Sequence, residues 1–263
     1  MESALEEIEF LARSTNRVTV LRLLTEAEYT RPELAAETGV SQATLGRILG
    51  DFQDRSWVTR DGSTYQATAT GRLVARGFEE LQDIIETERR LRDLVPFLPA
   101  AALEFDLRHL ADATLVTPTR IRPDAPLQRL LELLDGASEV AAVSHAFNEQ
   151  ALSIVATKVA DGTMTFEGLF AAAAIEGLRA DPELRDQLRQ LVGDDRATVA
   201  VVEEIDVAVM ILDETVCFLI RDDDGILRAS IDTDAQPVRA WARERIATLT
   251  TNAQTVAPAD IEP

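Results

Sequence analysis

The chain has 263 residues, with 46 acidic and 26 basic side chains and a formal net charge of −20. That length suits two domains of ordinary size, and a hydrophobic content of 46% supplies apolar side chains for both cores, which excludes disorder throughout. No apolar run approaches the ~20 residues of a membrane helix, the acidic start MESALEEIEF is no secretory signal, and one cysteine, Cys217, excludes an intrachain disulfide.

Helices are expected over residues 4–12, from Leu5, Ile8 and Leu11, and over 16–25, from Val18, Leu21 and Leu24. Thr30-Arg31-Pro32-Glu33 is a helix start: Thr30 caps, Glu33 completes a capping box, and proline is tolerated in the first turn. Gly39 stops this short helix, and Ser41 caps the next. There Leu45, Ile48, Leu49 and Phe52 form one buried stripe, and Gln42, Thr44, Arg47 and Asp51 face outward. Helix, glycine turn and capped helix make a helix-turn-helix. Two β-prone runs around Asp61-Gly62 then predict a hairpin, with Val58 opposite Tyr65 if those two residues form the turn. Thr70-Gly71 opens a long helix over 71–95, striped by Val74, Leu81, Ile84, Leu91 and Val95.

The ordered series RPELAAETGVSQATLGRILGDFQDRSWVTRDGSTYQATATGRLVARGF resembles the winged-helix domain of archaeal and bacterial regulators. The resemblance spans residues 15–80. One departure is Ser56, where that pattern has glycine before the wing. On this reading double-stranded DNA is the partner. Arg31, Ser41, Gln42, Ala43, Thr44 and Arg47 belong to the reading face, with Arg60 and Ser63 on the wing. The charge distribution agrees. Residues 10–76 carry nine arginines and seven acids, a net +2, whereas residues 77–263 carry −18. Lys158 is the sole lysine among the 26 basic residues. An acid-rich, lysine-poor surface of this kind resembles that of halophilic proteins, whose self-repulsion is screened in molar salt, where the Debye length is roughly 3 Å.

Beyond Pro96 and Pro99, β-type runs alternate with helical stretches. Strands are expected over 113–116, 139–143 and 164–170, with helices over 127–134, 147–160, 171–179 and 182–191. Strands over 198–202, 207–212, 216–221 and 226–231 follow, then a closing helix over 236–250. The fold class is α+β: an N-terminal winged helix-turn-helix over 1–70, a long linker or dimerisation helix over 71–98, and a C-terminal α/β domain with a mixed sheet over 99–255. Residues 256–263 are expected to be a flexible tail.

The segments ADATLVTPTRIRPDAPLQRLLELLDGASEVAAVS and VAVMILDETVCFLIRDDDGILRASIDTDAQPVRAWA resemble the effector domain of archaeal winged-helix regulators, first described in methanogens and common in haloarchaea. A more distant likeness is to the sugar-responsive TrmB type, whose domain looks like phospholipase D without its catalysis. The resemblance implies a ligand-responsive transcription regulator, cytoplasmic and homodimeric. The alternative is a winged helix that binds protein within the transcription machinery. An effector site is sought at the C-terminal ends of the strands, at Thr117, Arg120, Ser144, His145 and Asn148.

An enzyme is not expected. The phospholipase D motif needs His-x-Lys, but Ala111 follows His109 by two residues and Phe147 follows His145. No nucleophile elbow or phosphate-cradling loop is present, and no metal or cofactor is called for. Cys217, inside Val-Cys-Phe-Leu-Ile, reads as a buried strand residue. Asp222-Asp223-Asp224-Gly225 reads as a turn, not a calcium loop.

Overall fold

The computed structural model describes residues 3–98, 103–146, 148–205, 207–222 and 224–261. Pro99, Phe147 and Asp223, each part of an expectation above, lie outside these residues. The chain forms two compact units, which divide between Glu86 and Thr87.

In the first unit α1 (Ala4–Ala12) and α2 (Thr15–Glu26) precede a two-residue strand β1 (Tyr29–Thr30). Then come α3 (Arg31–Thr38), α4 (Gln42–Asp54), the wing strands β2 (Val58–Asp61) and β3 (Thr64–Ala67), and α5 (Ala69–Leu91). The helix starts have local causes. Ser3 with Glu6, and Thr30 with Glu33, form capping boxes, while Ser14 and Ser41 cap α2 and α4. Gly39 closes α3 in the left-handed region, at φ +69°. The stripe Leu45, Ile48, Leu49 and Phe52 is buried against Leu24, Leu34 and Trp57.

The wing differs from the expected register. Val58 pairs with Ala67, and Arg60 pairs with Tyr65. The turn residues are therefore Gly62-Ser63, with Gly62 at φ +55° in the first central position, where a II′-type hairpin asks for glycine. Ser56 takes φ +57°, which explains why glycine is usual there. Its carbonyl accepts hydrogen bonds from the hydroxyls of Thr68 (2.7 Å) and Thr70 (3.1 Å), tying the start of α5 to the wing. Gly71 sits over the Trp57 backbone with no room for a side chain.

The long helix also departs from expectation. It ends at Leu91 and tightens into a 3-10 helix over Arg92–Phe97. Pro96 explains the change: its ring clashes with the carbonyl four residues back, and it lacks an N–H to continue the ladder. Val95 is consequently exposed and not part of an apolar stripe, while Leu91 and Leu94 are buried.

The second unit is built on one eight-stranded mixed sheet. Its elements in chain order are β4 (Thr114–Val116), α6 (Ala125–Gly136), β5 (Glu139–Ser144), α7 (Glu149–Ala160), β6 (Thr165–Ala171), α8 (Ala172–Ala180), α9 (Pro182–Val192), β7 (Ala197–Val202), β8 (Val209–Leu212), β9 (Thr215–Arg221), β10 (Leu227–Thr233), α10 (Gln236–Thr250) and β11 (Gln254–Thr255). The strand order is β11-β7-β6-β5-β8-β9-β10-β4. Strands β5, β6 and β7 run parallel because a helical crossover joins each to the next, and the pairings from β8 to β4 are antiparallel. One face packs on α6, α7 and α9 through Leu130, Val155, Phe170 and Leu188. The other packs on α10 through Val143, Phe218, Ile231 and Trp241. Residues 254–261 are not a loose tail. Strand β11 pairs with β7, and Val256 and Ile261 are buried in the core of the first face, which gives this segment an apolar anchor.

Candidate nucleic-acid interface and the predicted effector residues

The nine arginines of residues 10–76 fall into two groups. Four meet carboxylates: Arg13 with Glu9 at 2.7 Å, Arg17 with Asp51 at 3.4 Å, Arg22 with Glu26 at 3.5 Å and Arg55 with Glu7 at 2.7 Å. Arg17 and Arg55 also stack on the Phe10 ring, at 3.8 and 3.9 Å. These four belong to the hub of α1, α2 and the end of α4. Among the described residues the other five, Arg31, Arg47, Arg60, Arg72 and Arg76, form no ion pair with a carboxylate. They lie at the start of α3, on α4, on the wing and on α5.

Arg47 is exposed on α4 between the buried Leu45 and Ile48. Ser41 and Thr44 are turned toward each other at the head of α4: the Ser41 Oγ accepts from the Thr44 N–H (3.3 Å), and the two hydroxyls lie 3.0 Å apart. Gln42 and Ala43 are exposed, and the Gln42 amide reaches back to the Arg31 carbonyl at 3.4 Å. Arg31 itself is half-buried. Its guanidinium lies beside Gly46 of α4, and a long 3.5 Å contact joins it to the Tyr65 hydroxyl of the wing. Its Nε is buried without a partner. Arg60 covers the same Tyr65 ring at 5.3 Å and donates to the Gly62 carbonyl at 2.9 Å. Tyr65 thus brings Arg31 and Arg60, far apart in sequence, to one ring. Ser63 is exposed in the wing turn. Sequence reasoning passed over Arg72 and Arg76, because nothing in the spacing of α5 marks them.

Glu33, two residues after Arg31, is occupied. It accepts from the Thr30 N–H and hydroxyl, each at 2.7 Å. Those bonds hold its carboxyl below the usual carboxylate range.

The predicted effector residues do not form one cluster. Thr117 and Arg120 are exposed in the loop after β4, at the far edge of the sheet from β5. His145 is exposed, with Nε2 at 2.6 Å from the Ile205 carbonyl. Ser144 and Asn148 do line one small cavity, of about 40 Å³, between the sheet, α6 and α7. Both have structural duties. Ser144 Oγ bonds to the Ala146 carbonyl at 2.8 Å, and Asn148 Oδ1 caps α7 by accepting from the Ala151 N–H at 3.1 Å. Arg221, at the end of β9, lines the same cavity and was not foreseen.

Two family models match the chain. Residues 5–90 match the HVO_A0261 N-terminal domain, and residues 123–252 match the middle domain of the methanogenesis regulatory protein FilR1. In its second unit the chain is similar to a regulatory protein of the FilR1 type. No curated protein matches the sequence. Among solved structures, the archaeal chromatin protein TrmBL2 is 14% identical over 97% of this chain and 100% of its own, with a TM-score of 0.45. NucT from Helicobacter pylori is 10% identical over 55% of this chain and 98% of its own, at 0.45. The phospholipase D family member Nuc from Salmonella typhimurium is 8% identical over 55% and 99%, at 0.43. None of the three reaches a TM-score of 0.5. No described helix is long and apolar enough to cross a membrane.

Proposed function

We propose that this chain is a sequence-specific DNA-binding transcription regulator that acts as a homodimer in a salt-rich cytoplasm and answers to a small effector through its second unit. The observation that carries the reading is the division of the arginines. In a chain of net charge −20, five arginines of residues 10–76 have no carboxylate partner among the described residues, and these include Arg47 on the helix that follows the glycine turn and Arg60 on the wing. The exposed start of α4 supports the reading, since backbone N–H groups there can meet a phosphate while Gln42 and Arg47 reach base edges. The match to a regulatory protein's middle domain supports it from the other unit. No catalysis is assigned to the second unit, because neither of its histidines stands in the His-x-Lys pattern that phospholipase D chemistry needs.

The homodimer is supported by an open apolar groove of about 500 Å³ within the first unit. Ile8 and Leu11 of α1 and Val74, Phe78 and Leu81 of α5 line it, next to the exposed Ile84 and Ile85. Twofold DNA sites ask for such a dimer.

The test is binding to a genomic target, followed by fluorescence anisotropy in molar potassium chloride. Arg47→Ala and Arg60→Ala are each expected to cost ~1–3 kcal/mol of binding, while Arg22→Ala, whose charge is already paired with Glu26, leaves affinity unchanged. Wild-type affinity in both of the first two variants overturns the assignment.

A further inference from the structure

The loop between β4 and α6 differs in charge from the acidic unit that carries it. Residues 117–123 hold two arginines and no acid, within a stretch, 77–263, whose net charge is −18. Thr119 and Arg122 close the tip of the loop. The Thr119 N–H donates to the Arg122 carbonyl, and the Arg122 N–H donates to the Thr119 hydroxyl, each at 3.0 Å. Arg120 and Ile121 are the two residues between them. Ile121 is 92% exposed, and neither Arg120 nor Arg122 pairs with a carboxylate among the described residues. Pro118 and Pro123 flank the tip and restrict its backbone, so little conformational freedom is left to lose on binding. A bare isoleucine between two guanidinium groups suits an apolar floor with an acidic rim.

The same unit carries such a place. An open hollow of about 480 Å³ lies between α10 and the sheet. Ala141 of β5 pairs with Glu167 of β6 on one side and with Ile211 of β8 on the other, so the three share a face. Ala141 is small and leaves the room, and Ile246 of α10 completes an apolar floor. Glu139, Glu167 and Asp213 supply the rim. Glu167 accepts from the Thr250 hydroxyl at 3.1 Å, and no cation pairs with it among the described residues. Arg243, which also lines the hollow, meets Glu214 at 3.7 Å. An apolar hole of about 150 Å³ takes a benzene ring, so the hollow has room for an isoleucine side chain and a neighbouring guanidinium. The loop cannot reach the hollow of its own chain. The four pairings that lead from β5 through β8, β9 and β10 to β4 are antiparallel, so β4 runs in the direction of β5. The loop therefore leaves the sheet where β5 stops, whereas Glu139 opens β5 at the other end. The separation is about 17 Å along the strands and about 19 Å across four strand spacings.

We infer that the Thr119–Arg122 tip of one copy docks into the hollow of a second copy. Ile121 packs on Ala141, Ile211 and Ile246, and the flanking guanidinium groups meet Glu139 and Glu167. Unlike surfaces meet in this contact, so it builds a ring or an open chain of copies. The inference goes beyond the regulator reading and does not rest on it, and it is separate from the dimer groove of the first unit.

The experiment uses the full chain in molar potassium chloride, where repulsion between the acidic bodies is screened. Light scattering follows the mass from micromolar to submillimolar concentration, and growth past two copies is the expected result. Ile121→Asp removes the tip, and Ala247→Arg blocks the hollow. Both positions are exposed, so neither change disturbs the core, and circular dichroism checks the fold. Each variant alone should lose the growth, its association weakened roughly tenfold or more. Mixed in equal amounts, the two should recover one contact, because the first keeps its hollow and the second keeps its tip. General damage to either variant would not recover on mixing. The inference is overturned if the wild-type mass never passes two copies, if either variant assembles like wild type, or if the mixture stays as small as its parts. It is equally overturned if Ile121→Asp loses DNA affinity with no change in mass, which would make the tip a DNA contact. Variants that settle as dimers leave the homodimer of the first unit standing, whereas variants that settle as monomers refute that dimer and not the docking.

Discussion

Gly71→Ala tests the way the long helix is seated on the wing. A Cβ at Gly71 would lie 1.9 Å from the Trp57 carbonyl oxygen and 2.8 Å from its carbon. Non-bonded atoms of this size rest at roughly 3.5 Å, so the overlap is about 1.6 Å against backbone that cannot swing aside. Relief requires the start of α5 to lift away from Trp57. That movement breaks the Thr68 N–H bond to the Trp57 carbonyl (2.8 Å) and the Thr68 and Thr70 hydroxyl bonds to the Ser56 carbonyl (2.7 and 3.1 Å). At about 1 kcal/mol each, the three bonds total about 3 kcal/mol. Alanine returns about 1 kcal/mol as a better helix former than glycine, which leaves a net loss of about 2 kcal/mol. Gly50, within α4, is the control, because nothing lies within 4 Å of its would-be Cβ. There the same substitution should stabilise by roughly 0.5–1 kcal/mol. Urea melts in a Trp241→Phe background make Trp57 the fluorescent reporter and so read the first unit. Equal sign and size at the two positions would refute the steric argument.

Ser56→Gly is expected to stabilise the first unit by up to about 1 kcal/mol, because serine holds a left-handed conformation at φ +57° that glycine adopts freely; a lower urea midpoint in the same background would contradict this. Burial pushes the Cys217 thiol up to about 12, so it should resist thiol reagents at pH 8 until the second unit unfolds, and rapid labelling of the native chain would show the strand to be open. The sign for stability follows: the folded state keeps the proton, so the contribution is constant below the unfolded thiol's value of about 8.5 and is lost as pH rises toward about 12. Specific DNA affinity should fall little between ~0.5 and 2 M potassium chloride, where screening to a few ångströms removes repulsion from the acidic body but spares contact hydrogen bonds; a steep decline in binding isotherms would refute the electrostatic reasoning.

Local signals made much of this fold legible. The caps at Thr30 and Ser41 and the stop at Gly39 place α3 and α4 because each acts through bonds within a few residues. Strands β1 and β11, of two residues each, carry no periodicity to read. The wing register shows a different limit. Moving the turn from Asp61-Gly62 to Gly62-Ser63 shifts the pairing by two residues, and a two-residue shift keeps every side chain on its own face. Val58, Tyr65 and Ala67 are buried in either register, so the hydrophobic pattern could not choose between them. Arg221 was hidden for a related reason. It joins Ser144 only through pairings across β8, and no local pattern encodes which strand lies between β5 and β9.

The pairing of arginines shows why net charge is a poor guide to what this surface offers DNA. Counted along the sequence, residues 10–76 are only slightly positive, which is little for a DNA reader. Counted by contact, the outcome differs. Glu7 and Glu9 belong to the acidic start of the chain, yet they spend their charge on Arg55 and Arg13 around α1. Glu26 and Asp51 likewise meet Arg22 and Arg17, and Glu33 is held by its cap. None of these acids pairs with Arg31, Arg47, Arg60, Arg72 or Arg76, and among the described residues Glu28, Glu37, Asp54 and Asp61 pair with no arginine either, so contact changes where the free charges lie and not their sum. At low ionic strength the whole body of the protein would still act on an approaching phosphate. In molar salt only groups within a few ångströms count, so which arginines are left unpaired matters more than the sum of charges, and a strongly acidic chain can still present DNA with a cationic face.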